Sequence, residues 1–274
     1  MPPVNSMDYS GKDTVLEVVK HEAGDFFNLV DDPKNWNVQT RCTEWETRDI
    51  VGHMIDVTEG YLERWEKAKK KEPINSVGLL VMSHDLNEKA QSFRSLKREE
   101  AISRLKNDYA RMMDIFEKLT PDEWNNFMVM HPFMGPLPTL FYPAFHVMDY
   151  GVHTWDIRYG LGEKTRELDE PTAGVLIPYM LFALLPSTVD AKSAKGVDVT
   201  YGIKIKGDWG GKWCATVKDG KFEAKPVEDF EDCDAVFRYD PSDFVLTAFQ
   251  RFPGGAARGD YQIINKVRNL FFTI

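Results

Sequence analysis

Hydrophobic positions recur every three or four residues through the first two-thirds of the chain and every second residue through much of the remainder. The first period is that of helices with one buried face, the second that of half-buried strands. Val15, Val18, Val19, Phe26 and Val30 form one apolar stripe, stopped by Asp31-Asp32-Pro33. A second helix opens at Glu46 or Thr47 and carries Ile50, Met54, Val57, Tyr61 and Trp65. A third is expected over 76–93. A fourth, over 98–119, has Ile102, Leu105, Tyr109, Met112, Phe116 and Leu119 in register before Pro121. After a loop containing Pro132, Pro136 and Pro138, a fifth runs from 139 to 160 and closes at Gly160-Leu161-Gly162. The apolar stretch GVLIPYMLFALLP, up to Pro186, reads as one more buried helix. With no strand-like run between these segments, the expected fold over 12–186 is an antiparallel four-helix bundle.

Beyond Pro186 the pattern alternates. Val197–Lys206 and Lys212–Lys218 read as strands, Asp219-Gly220 as the two-residue turn of a tight hairpin, and Lys221–Pro226 as its return. Cys233–Arg238 is a further strand. Asp240-Pro241 then opens a helix with proline at its first position, and a closing helix covers Tyr261–Phe272. Residues 187–274 are therefore expected to form a small α+β domain. No internal repeat or low-complexity segment interrupts either part.

Composition narrows the partners. The 274 residues carry a net charge of −9, which argues against nucleic acid. The cluster Lys67–Lys71 is read as the solvated end of a mixed-charge helix. The longest apolar run is too short to span a bilayer, so no membrane partner is expected. Three scattered cysteines and an N-terminus without a signal-peptide pattern fit a reduced, cytoplasmic protein, monomer or homodimer.

The chemistry concentrates in the fifth helix, LFYPAFHVMDYGVHTWDIRYG. His146, Asp149, His153 and Asp156 stand three, four and three residues apart, within one arc of the helix, while their neighbours are mostly apolar or small. An ionisable stripe on an otherwise apolar helix faces inward, where it must be paired or bound to a metal. Asp149 and His153, four apart, can grip one ion from adjacent turns. His53 lies on the inward face of the second helix. Two histidines and one carboxylate make a site of the catalytic type, with room for water or substrate. Periodicity alone reads this set equally well as a hydrogen-bonded core network.

The segment CTEWETRDIVGHMIDVTEGY, Cys42 to Tyr61, resembles the signature of the mycothiol-dependent maleylpyruvate isomerase family, a branch of the DinB-like metal-binding four-helix bundles. Trp45, the polar stretch Thr47-Arg48-Asp49 and His53 match its first motif, and Asp149, His153 and Asp156 in DYGVHTWD match its second. The resemblance implies that His53, Asp149 and His153 ligate a divalent metal, Zn²⁺ by preference, with Asp156 orienting His153. Two positions depart from the family pattern. Asp149 stands where glutamate is usual, and His146 stands where arginine is common. His146 is open to four readings: a fourth ligand, a general base, a substrate contact, or a hydrogen-bond partner of Asp149. The last third, including CDAVFRYDPSDFVLTAFQRFPGGAARGDYQIINKVRNLF, resembles a sterol carrier protein type two-like domain.

The family resemblance further implies mycothiol or another low-molecular-weight thiol as cofactor, and a small electrophilic substrate such as an unsaturated acid. In an isomerase, thiolate addition to a conjugated double bond frees rotation and elimination restores the bond; in a transferase, the adduct is the product. Cys42, near His53 in sequence, is assigned no chemical role. An anionic reactant calls for a cation, for which Arg238 and Arg251 are the candidates. The alternative is a lipid or small-ligand carrier with a structural metal, its cavity lined by Phe237, Phe244, Phe249 and Phe271. His21, His84 and His131 have no partner that the pattern names.

Overall fold

The computed structural model describes residues 5–163 and 167–272, with the backbone alone for 82–84. His84 is thus outside the described side chains. The chain divides into two compact units, Val4–Arg166 and one that begins at Glu167.

The first unit runs α1 (Lys12–Asp31), α2 (Thr47–Lys69), α3 (Leu79–Ser92), α4 (Arg98–Lys118), α5 (Pro121–Asn126), β1 (Met128–His131), β2 (Gly135–Pro138) and α6 (Phe141–Gly160). Helix α1 packs along α6 and α2 along α4, while α3 lies on α2. The predicted stripes meet where expected: Phe26, Ile50, Met54, Leu105, Tyr150 and Ile157 are all buried in one core. Each contributes about 1.5–3 kcal/mol by leaving water, which offsets the entropy of ordering the helices. The start of α2 is fixed twice. The Glu46 backbone N–H donates to Asp49 at 2.9 Å, and Arg94 grips the same buried carboxylate through Nε at 2.6 Å and Nη2 at 2.7 Å.

The proline-rich loop expected between the fourth and fifth helices is instead a short helix and a hairpin. Pro136 and Pro138 pair with Met130 and Met128, so both prolines fall in the same phase of the ladder, where a missing N–H points outward. Gly135, at φ 84°, makes the turn. Helix α3 begins at Leu79 rather than 76 because Gly78, at φ 86°, lies outside helical geometry.

The second unit comprises α7 (Glu170–Tyr179), a π-helical turn over Met180–Leu184, α8 (Leu185–Ser187), β3 (Asp198–Ile205), β4 (Gly211–Lys218), β5 (Lys221–Pro226), β6 (Ala235–Tyr239), α9 (Pro241–Ala248), β7 (Ala256–Gly259) and α10 (Tyr261–Arg268). The sheet order is β5-β4-β3-β6-β7, with β3 and β6 parallel and the other pairs antiparallel. Asp219 and Gly220, at φ 51° and 74°, supply the predicted turn.

Three expectations need correction here. Helix α7 packs on α9, so the division falls at Glu167 and not after Pro186; a helix apolar on all sides carries no sign of which core it joins. The buried helix expected there does form: Pro178 lies inside α7, and the π-helical turn over Met180–Leu184 carries the run on into α8. Ala256–Gly259 forms β7, a strand the alternation did not predict, and the closing helix ends at Arg268 rather than Phe272. Phe237, Phe244 and Phe249 are buried, and the rings of Phe237 and Phe244 pack on Tyr201 and Tyr239. Half-buried Phe271 packs edge-on against Phe222. Among the described residues no helix is long and apolar enough to cross a membrane.

Candidate metal centre

His53 on α2 and Asp149 and His153 on α6 are all buried, and one ligand atom of each lies within 4.8 Å of the other two. The two imidazoles stand edge-to-face with centroids 5.2 Å apart. Trp45 closes one side, its ring 4.9 Å from His53 and 5.9 Å from His153.

Behind the triad, His153 Nδ1 donates to Asp156 Oδ2 at 3.0 Å. That bond places the ring proton on Nδ1 and leaves the Nε2 lone pair for an ion. Asp156 is fully buried, and the same Oδ2 accepts from Cys42 Sγ at 3.3 Å. The segment bearing Cys42 can lie this close because Gly160 has no side chain: a Cβ there would sit 2.0 Å from the Gln39 carbonyl oxygen. The backbone N–H of Arg41 then donates to the Asp156 carbonyl at 3.0 Å.

Burial alone pushes the Asp149 carboxyl up to about 8. A carboxyl desolvated to this degree, with two imidazole nitrogens in reach, suits a divalent cation, whose charge would restore the ionised form.

The sequence model of the mycothiol maleylpyruvate isomerase N-terminal domain matches residues 19–158. The chain belongs to that family. Its fold is similar to the crystal structure of the mycothiol-dependent maleylpyruvate isomerase, with a TM-score of 0.61 at 12% identity, covering 91% of this chain and 94% of that one. A mutant of a mycothiol-dependent maleylpyruvate isomerase gives a TM-score of 0.60 at 11% identity, with 91% and 94% covered. A search of curated protein sequences returns no match.

In this family member, His146 stands apart from the converging donors. Its Nδ1 donates to the Tyr142 carbonyl at 3.1 Å, not to Asp149, and its buried Nε2 has no hydrogen-bond partner among the described residues. Burial lowers it to about 4, so it is neutral at physiological pH. Arg238 and Arg251 lie in the second unit. Arg238 is an exposed residue of β6, and Arg251 donates from Nη1 to the Phe249 carbonyl at 3.2 Å just beyond α9.

Sequence reasoning missed three polar groups of the bundle. His131 does have a partner: its Nδ1 accepts from the backbone of Phe133 and Met134 at 3.3 and 3.1 Å. The ring proton therefore sits on Nε2, 3.4 Å from the Tyr61 hydroxyl. Burial lowers His131 to about 3, while burial and the nearby Asp149 hold the Tyr61 hydroxyl in its protonated form. Arg64 is half-buried on α2, and its shielded Nη1 has no hydrogen-bond partner among the described residues. Its eleven-residue separation from His53 returns to nearly the same side of a helix, about 16 Å along the axis. Gly60 lies between them with open space where a Cβ would be. A polar row continuing the His53 stripe was the available signal for Arg64. Nothing local in the sequence could tie His131 to Tyr61, seventy residues away.

Proposed function

We propose that the chain is a divalent-metal-dependent enzyme that uses a low-molecular-weight thiol to act on a small electrophilic substrate. The observation that carries this reading is the convergence of His53, Asp149 and His153 inside the bundle, with Asp156 fixing the His153 ring. Family membership supplies the reaction class, thiol-dependent isomerisation, with mycothiol as the first thiol to try. Transfer of the thiol to the substrate is the related outcome that the same residues would serve.

A bound divalent ion, Zn²⁺ in the first instance, supplies the Lewis acidity that holds a thiol ionised at neutral pH. The protein's own residues do the rest. Asp156 keeps the His153 proton on Nδ1. Trp45 shields both imidazoles. The Tyr61 hydroxyl, already accepting from His131, keeps its own hydrogen for a ligand oxygen. Arg64, whose Nη1 has no hydrogen-bond partner among the described residues, offers a cation on the His53 side of α2 for the carboxylate of an unsaturated acid. Arg238 and Arg251 belong to the second unit, which we read as a sterol carrier-like domain.

The test is a panel assay. Purified protein, loaded with Zn²⁺ or treated with chelator, is incubated with mycothiol or glutathione and a cis-unsaturated keto acid. Metal- and thiol-dependent conversion to the trans acid, lost in His53→Ala, supports an isomerase. Accumulation of a thiol adduct supports a transferase. Turnover that ignores both metal and thiol contradicts the proposal.

A further inference from the structure

Two of the three cysteines, scattered in sequence, meet in the second unit: Cys233 Sγ lies 3.8 Å from Cys214 Sγ. The sheet topology explains the meeting. Strands β5 and β6 both run parallel to β3, and β4 and β3 lie between them. The connection over 227–234 must therefore cross two strands on one face.

That crossover is held at several points. Val227 N donates to the Lys212 carbonyl at 3.0 Å and Asp234 N to the Thr200 carbonyl at 3.2 Å. Lys212 Nζ donates to the Glu228 carbonyl at 2.5 Å. Phe230 takes the space over Gly202, where a Cβ would come within 2.4 Å of its ring. Gly202 pairs directly with Cys214, so the two residues share a face of the sheet. The turn closed by Cys233 N on the Phe230 carbonyl, at 3.1 Å, then brings Cys233 beside Cys214.

We propose that Cys214 and Cys233 form a redox pair that closes to an intramolecular disulfide by exchange with a low-molecular-weight disulfide, fastening the crossover to the sheet. The sulfurs are already close to van der Waals contact at 3.8 Å, and a bond of about 2.05 Å closes the remaining gap. Cys233 is half-buried and Cys214 buried, which sets the order of events. The Cys233 thiolate attacks one sulfur of the small disulfide, and one small thiolate leaves. The Cys214 thiolate then attacks Cys233 Sγ, expelling the second. Two protein thiols and one small disulfide become one protein disulfide and two small thiols, with protons balanced through solvent.

Burial and the Cys214 neighbour push the Cys233 thiol up to about 12. Exchange is therefore slow at neutral pH and accelerates as the thiolate fraction grows. A reduced form with no stabilised thiolate also favours persistence of the disulfide once made. Such a pair responds to sustained oxidation of a thiol pool. The inference is independent of the metal centre.

The test uses the full chain incubated with excess glutathione disulfide at pH 7.5 and 8.5, then quenched with acid, labelled with N-ethylmaleimide in denaturant and mapped by mass spectrometry. The expected product has lost about 2 Da, contains a Cys214–Cys233 cross-linked peptide and labels only at Cys42. It should form roughly tenfold faster at the higher pH. In Cys214→Ser, a glutathione adduct should accumulate on Cys233. A persistent adduct on wild-type Cys233, a linkage through Cys42, or labelling of all three cysteines after prolonged oxidation at pH 8.5 would overturn the proposal. The wild-type map decides the matter even if the variant does not fold.

Discussion

Replacing Asp149 by asparagine separates a metal site from a hydrogen-bonded core network. Burial holds this carboxyl near 8, against 3.8 for an ordinary aspartate. In metal-free protein the folded chain therefore keeps a proton that the unfolded chain releases between about pH 4 and pH 8. The sign follows: the group's contribution is greatest at low pH, declines as pH rises through that window, and is flat above about 8. Between pH 5 and 8 the loss amounts to about 2–4 kcal/mol, at 1.36 kcal/mol per pKa unit and allowing for relaxation around the charge. Asparagine has no proton to lose. Urea denaturation of chelator-treated protein across pH 5–8.5 should show the wild type losing that stability while Asp149→Asn stays nearly level. Added Zn²⁺ should restore the wild type above pH 7 and leave the variant unchanged. Parallel pH curves would refute the reasoning, because they would mean that Asp149 is already charge-compensated within the protein.

Asp156→Asn keeps an acceptor for His153 but removes its charge, and should weaken Zn²⁺ binding by about 10- to 100-fold in a competitive chelator titration; unchanged affinity would remove Asp156 from the account. Gly160→Ala places a methyl against the Gln39 carbonyl and should cost about 1–3 kcal/mol in thermal or urea unfolding, with faster labelling of Cys42 as its segment lifts from α6. Tyr61→Phe strands the His131 Nε2–H and should cost about 1–3 kcal/mol, while metal content measured by mass spectrometry stays at the wild-type level.

The helices of the first unit were legible because each needs an apolar stripe at helical spacing, and Ile50, Met54, Leu105 and Phe116 supply it. The triad was legible for a related reason: Asp149 and His153 interrupt an apolar helix, and burying them unpaired is costly. The hairpin over Met128–Pro138 was not legible, since prolines argue against a strand unless their phase in the ladder is known. Nor could hydropathy assign α7, whose neighbour α9 lies far along the chain. The polar surroundings of the triad were the least readable part. Cys42 meets Asp156 across 114 residues, and such contacts are written in the fold, not in local spacing. Nor did spacing show that His146 Nδ1 bonds to the Tyr142 carbonyl one turn back.

The metal content of the purified chain tests the central claim most directly. Elemental mass spectrometry should find about one equivalent of a divalent first-row ion per chain, Zn²⁺ foremost. His53→Ala and His153→Ala should each lose it while keeping the helical signal in circular dichroism. Metal-free wild-type protein that also fails to take up Zn²⁺ on reconstitution, or variants that bind it as tightly as the wild type, would contradict the account.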